Sequence, residues 1–285
     1  MNTIHTIHEG RLHLGEAPIW DERLRHLFYV DILKKTLYSW DYHTKDRTSY
    51  FFSEYISCIA LTENKDILWI ALESGIYSFH LGRQEKVFIC QPETEQNYRY
   101  NDGAVDWNGN WLIGSMNNIN NGPDATHLPD ANLYQVHGMN SRRLLTDVTI
   151  SNGIAFQFPY MYYIDSKCNN IRKFLYDHNK LSLVEEVFSI SDGTTLDGMT
   201  ISKSNKLYIA NWGGGQILVF DLLQEKIIDN IAVPALNPAS CTFGGPMMNE
   251  LFITTSDIDD ENPSLAGVYS IILDDYGMEE NKIVK

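Results

Sequence analysis

The stretch Leu37-Tyr38-Ser39-Trp40-Asp41 sets an apolar residue, a tyrosine, a small polar residue and a second ring ahead of an acid. The pattern returns as Ile76-Tyr77-Ser78-Phe79-His80 and Leu133-Tyr134-Gln135-Val136-His137. It returns again as Ile171-Arg172-Lys173-Phe174, Ile217-Leu218-Val219-Phe220-Asp221 and Val268-Tyr269-Ser270-Ile271. Alternation with period two is the signature of a half-buried strand. Ahead of each copy lies a second apolar strand, such as Leu27-Phe28-Tyr29-Val30, Ile67-Leu68-Trp69-Ile70 or Met161-Tyr162-Tyr163-Ile164. Polar turn residues such as Asn108-Gly109-Asn110 precede most of these, and a third short strand lies further upstream.

Six copies at roughly 45 residues each match the length of a four-stranded propeller blade. No segment keeps a 3.6-residue apolar period over the length of a helix, so the fold class is all-β. The expected architecture is a six-bladed β-propeller spanning residues 1–285 as one domain, its ring closed by an N-terminal strand at Thr3–His8. Closure leaves only short, protected sheet edges. A β-sandwich, the rival architecture, has no reason to repeat six times.

Composition agrees and excludes some functions. The chain has 285 residues, 44% hydrophobic and 12% aromatic, enough to bury a large core of sheet-packing rings. Its 22 Lys and Arg against 37 Asp and Glu give a net charge of −15. Such a surface repels phosphate backbones and anionic lipid, so neither nucleic acid nor membrane is expected as a partner. No apolar run approaches the roughly 20 residues of a membrane span, and Met1–Gly10 lacks the basic and apolar regions of a secretion signal. The four cysteines form no C-x-x-C pair and read as reduced thiols of a cytoplasmic protein. Oligomeric state is left at monomer or homodimer.

In a propeller the innermost strands line a central channel, so residues far apart in sequence meet at its mouth. Those positions hold Glu16 in the first unit, Arg99 and Asn101 in the third, Asn152 in the fourth and Asp197 in the fifth. Units two and six place Ser57-Cys58 and Ser240-Cys241 there. Taken singly, Asn-Gly and Asp-Gly are turn dipeptides. Their common register makes them a set: Glu16, Asn101, Asn152 and Asp197 offer oxygen donors. Oxygen-only donors suit a hard cation, calcium first, with magnesium or manganese as alternates. Cys58 and Cys241 are read as packing residues. Gly213-Gly214-Gly215 lacks the rest of a phosphate loop and reads as a hairpin turn. No G-x-S-x-G elbow is present.

These segments also resemble the senescence marker protein, regucalcin and gluconolactonase family over nearly the whole chain. Leu14-Gly15-Glu16-Ala17-Pro18-Ile19-Trp20 with Tyr29-Val30-Asp31-Ile32 is similar to its opening motif. Asn101-Asp102-Gly103-Ala104-Val105-Asp106, Ser151-Asn152-Gly153-Ile154-Ala155, Asp197-Gly198-Met199 and Ser240-Cys241-Thr242-Phe243-Gly244-Gly245-Pro246 follow in family order. The resemblance implies a lactonase acting on a small sugar lactone and dependent on one divalent cation: calcium foremost, with zinc, magnesium or manganese as alternates. By matched motifs, Glu16, Asn152 and Asp197 would be the metal ligands, with Asp197 also the catalytic acid/base. Arg99 and Asn101 would bind substrate. One departure concerns Met116, which is followed by Asn117-Asn118-Ile119-Asn120-Asn121 where regucalcin-like members carry acidic residues. Two rival functions use the same site: a metal-dependent esterase or phosphotriesterase, and a non-enzymatic calcium-binding propeller.

Overall fold

The computed structural model describes residues 3–8, 10–118, 128–177, 180–258, 260 and 262–284. Ile119–Asn121 lie outside them. The strands form six four-stranded antiparallel sheets, and the one helical element among the described residues is a 3-10 turn at Pro263–Leu265. In blade one the strands run Gly15–Asp21, His26–Asp31, Thr36–Asp41 and Arg47–Phe51, from the axis outward. The other inner strands are Ile56–Leu61, Tyr98–Val105, Ser151–Gln157, Thr195–Ile201 and Asn237–Gly244. Each packs against the inner strands of the blades before and after it, which makes the ring. The chain is thus an all-β, six-bladed propeller. Among the described residues no helix is long and apolar enough to cross a membrane.

Blade six takes its outer strand, Ile4–His8, from the start of the chain, pairing it with Val268–Ile272. Its seam with blade one is aromatic: Trp20 stacks on Phe252 at 5.6 Å, with Tyr29 and Trp40 in the same buried cluster. His8 accepts or donates one bond there, to the Tyr29 hydroxyl at 2.9 Å. Burial drives its pKa down to about 3, so it is a neutral core residue.

Two features set the shape of the channel. First, the ladder between inner and second strand slips in every blade at the mouth-side end. In blades one, three, four and five two inner residues face one across the ladder: Ala17-Pro18, Asn101-Asp102, Asn152-Gly153 and Asp197-Gly198. Blades two and six carry a single extra residue, Ser57 and Ala239. Such bulges free a residue from the ladder and re-aim its side chain. Second, the last residues cross the far end of the ring. Lys203 N–H donates to the Tyr276 carbonyl, Asn281 Nδ2 to the Val105 carbonyl and Ile283 N–H to the Leu61 carbonyl, which ties blades five, three and two together. Met278–Asn281 thereby floor a cavity of about 120 Å³ inside the channel, walled by residues such as Ile19, Cys58, Ile154 and Met199.

Candidate active site at the channel mouth

The bulges decide which side chains face the axis. Asn101, Asn152 and Asp197 are each the first unpaired residue of a bulge, and Glu16 immediately precedes one. Ala17 takes a left-handed φ of 46°, and the Glu16 carboxylate turns back to accept the Ala17 N–H at 3.3 Å. The glycines that follow have ordinary φ; what they need is space. A Cβ on Gly153 would lie 2.8 Å from the Asp197 carbonyl, and one on Gly198 2.9 Å from the Ala239 carbonyl. The Asn-Gly and Asp-Gly pairs are therefore mid-strand bulges at close blade contacts, not turns. Gly213 and Gly215, at φ 78° and 60°, do make the hairpin turn between strands Lys206–Trp212 and Gln216–Asp221.

Buried acids anchor the strand entries. The Asp31 carboxylate accepts the N–H groups of His13 and Leu14 at 2.9 and 3.2 Å, just ahead of Glu16. Asp165 does the same for Thr149 and Ile150 at 2.8 and 3.1 Å, just ahead of Asn152. In blade five the Asn169 side-chain oxygen accepts the Leu196 N–H at 2.8 Å, next to Asp197.

Hydrogen-bond polarity fixes the amides. Ser166 Oγ donates to the Leu196 carbonyl and so accepts from Asn152 Nδ2, both at 2.8 Å. Asn152 Oδ1 must then face the axis, where it accepts from Asn101 Nδ2 at 3.1 Å. Asn101 Oδ1 in turn accepts from Arg99 Nη1 at 2.6 Å, and its Nδ2 also reaches the Ser151 carbonyl. Asn101 thus bridges Arg99 to Asn152. Arg99 Nε and Nη2 donate to nothing among the described residues.

The carboxylates are crowded. Glu16 and Asp197 are both only 6% exposed, and Asp197 Oδ1 is buried without a hydrogen-bond partner. Burial, reinforced by the Asp102 carboxylate, pushes Glu16 up to about 8. Burial and the Glu16 charge hold Asp197 well above the usual carboxylate range. Asp102, which sequence reasoning passed over, lies in the channel just below and is itself raised by burial to about 6. Arg99, lowered by burial to about 10, is the cation that offsets Glu16 and Asp197. Among the described residues no three His, Cys, Asp or Glu side chains meet in a way that could hold a metal. A cation here would rest on two carboxylates and the Asn152 amide oxygen. That donor set fits one: a second positive charge would relieve the carboxylate repulsion and satisfy the orphaned Oδ1. Cys58 and Cys241 are buried with their thiols pushed up by desolvation, so both stay protonated.

Residues 14–257 match the sequence profile of the family described as SMP-30/Gluconolactonase/LRE-like region. YvrE of Bacillus subtilis, whose name assigns it provisionally to the sugar lactone lactonases, is 31% identical over 285 aligned positions covering 95% of each chain. Regucalcin of Xenopus laevis is 28% identical over 90% of each chain. A solved structure of luciferin-regenerating enzyme superposes with a TM-score of 0.93 at 26% identity, covering 100% of both chains.

Proposed function

Because the chain belongs to the SMP-30/gluconolactonase/LRE-like family, we propose that it hydrolyses a small sugar lactone at the channel mouth, with one divalent cation held by Glu16, Asn152 and Asp197. The observation that carries this reading is the buried Glu16–Asp197 pair with an unpartnered Asp197 Oδ1 beside a correctly turned Asn152 amide. Calcium is the first candidate, since all three donors are oxygen. Such an ion, when bound, supplies a Lewis acid for the lactone carbonyl.

The chain's own groups do the rest. Asp197 takes a proton from the attacking water through one carboxylate oxygen, and the ring C–O bond breaks as that proton passes to the leaving alkoxide. Arg99, with Nε and Nη2 free, holds the substrate, and Asn101 keeps Arg99 and Asn152 in fixed relation. The four free cysteines suit a reducing compartment such as the cytoplasm.

A lactone-opening assay with and without chelator tests the reading. Chelator-sensitive opening of gluconolactone is the expected result. Activity confined to phosphotriesters, or binding of calcium with no hydrolysis of either class, would overturn it.

A further inference from the structure

Two second strands end beside the bulges: Leu72 pairs with Ile56 just ahead of the slip in blade two, and Trp212 pairs with Thr195 just ahead of the bulge in blade five. On blade two, Glu73 follows the strand Ile67–Leu72 and is latched to the segment entering the inner strand. Its Oε2 accepts the Tyr55 N–H at 3.0 Å, and its own N–H donates to the Tyr55 carbonyl at 3.2 Å. Oε1 has no partner among the described residues. Glu73 is half-buried and lies in the field of Arg99, whose guanidinium feels Glu16 first, then Glu73, the Tyr55 hydroxyl and Asp197. Yet Glu73 and Arg99 make no hydrogen bond or ion pair with each other. Each is held by one set of bonds and keeps spare capacity, Glu73 through Oε1 and Arg99 through Nε and Nη2. A hydroxyl group, which donates and accepts at once, is the ligand that bridges such a pair.

The second strand of blade five ends instead on an aromatic residue. Trp212 closes the strand Lys206–Trp212 of blade five, three blades around the ring from Glu73. With Ile258 it packs against the cluster that contains Leu14 and Tyr100. The Gly213 N–H donates to Asn237 Oδ1 at 3.1 Å, and Asn237 Nδ2 donates to the Ile258 carbonyl at 2.6 Å, so the two residues are tied together.

We infer that Glu73 is a specificity-determining residue, accepting a hydrogen bond from a ring hydroxyl of the substrate while Trp212 covers the ring's carbon face. This rests on the lactonase reading and narrows it: the site selects a polyhydroxylated ring over a bare one. A pocket built to bond a hydroxyl rejects an analogue that lacks it, because its polar groups are then left unpaired.

The test compares calcium-loaded wild type, Glu73→Gln and Trp212→Leu on gluconolactone and on unsubstituted δ-valerolactone. Glu73→Gln keeps an oxygen for the Tyr55 N–H but turns a donor toward the substrate. Its preference for gluconolactone, as the ratio of kcat/KM values, should fall by about 10-fold or more, chiefly through KM. Trp212→Leu should weaken both substrates and leave that ratio within about 3-fold. An unchanged ratio in Glu73→Gln overturns the inference. Saturation-transfer NMR with methyl glucoside, a ring polyol with no ester to open, separates the two readings. If no lactone is opened but Glu73→Gln weakens methyl glucoside binding, the lactonase reading fails and the role of Glu73 stands. Equal binding to wild type and Glu73→Gln, or binding to neither, overturns that role whatever the activity.

Discussion

Asp197 gathers more of the proposed chemistry than any other residue, and its orphaned oxygen makes it the sharpest test. Asp197→Asn keeps shape and removes the charge, so the fold should persist while lactone turnover falls by about 100-fold or more, read from kcat with circular dichroism as the folding control. Glu16 gives a pH signature. Its pKa stands near 8 in the fold against 4.5 ordinarily, so between those values the unfolded chain releases a proton that the folded one keeps. Folding then binds a proton at Glu16, whose contribution to stability falls as pH rises through that window, opposed below pH 6.5 by His8, which the fold keeps neutral. Urea melts in chelator should show lower stability at pH 8 than at pH 6.5, above the range where His8 counts, and excess calcium should flatten or reverse the slope. The lowered carboxylates Asp41 and Asp221 act only below their ordinary range and leave this window untouched. That Asn101, Asn152 and Asp197 share one register, with Glu16 one place earlier, was legible in the sequence from the repeats, and Arg99 stood out only through its family motif. Asp102, Ser166 and Glu73 were not legible. Their parts depend on which way a neighbour's amide or carboxylate turns, which no spacing encodes.

Among the strands, the bulge is the device that turns a ladder residue into a channel residue. The four blades with two residues set against one are those that bring Glu16, Asn101, Asn152 and Asp197 to the axis. Gly153→Ala probes this directly. Its new methyl would press on the Asp197 carbonyl and on Met199 Cγ, both at 2.8 Å. The blades must part slightly, which should cost about 1–3 kcal/mol in urea melts and weaken calcium binding in isothermal titration. Hints of the bulges are present in the sequence, since Pro18, Gly153 and Gly198 all interrupt strand patterns, and Gly and Pro inside a strand mark such irregularities. The same glycines read equally well as turns. Only the cross-strand register, a long-range property, separates the two.

For the whole ring, the six-fold count was legible because each repeat carries its own apolar signature. The path of the last residues was not. Leu273–Val284 belong to no repeat and join the body through single bridges and side-chain bonds rather than a ladder. They nonetheless floor the channel, and Ile283, 2% exposed, is pinned between blades two and three. Ile283→Ala should cost about 2–5 kcal/mol, measured by urea melts. Synthesis sets an order on all of this. The strand Ile4–His8 emerges from the ribosome before the other described strands, yet its partner Val268–Ile272 emerges after them. The nascent chain must therefore carry Ile4–His8 unmated while the other described strands are made, and the seam shuts only after Val268–Ile272 is out.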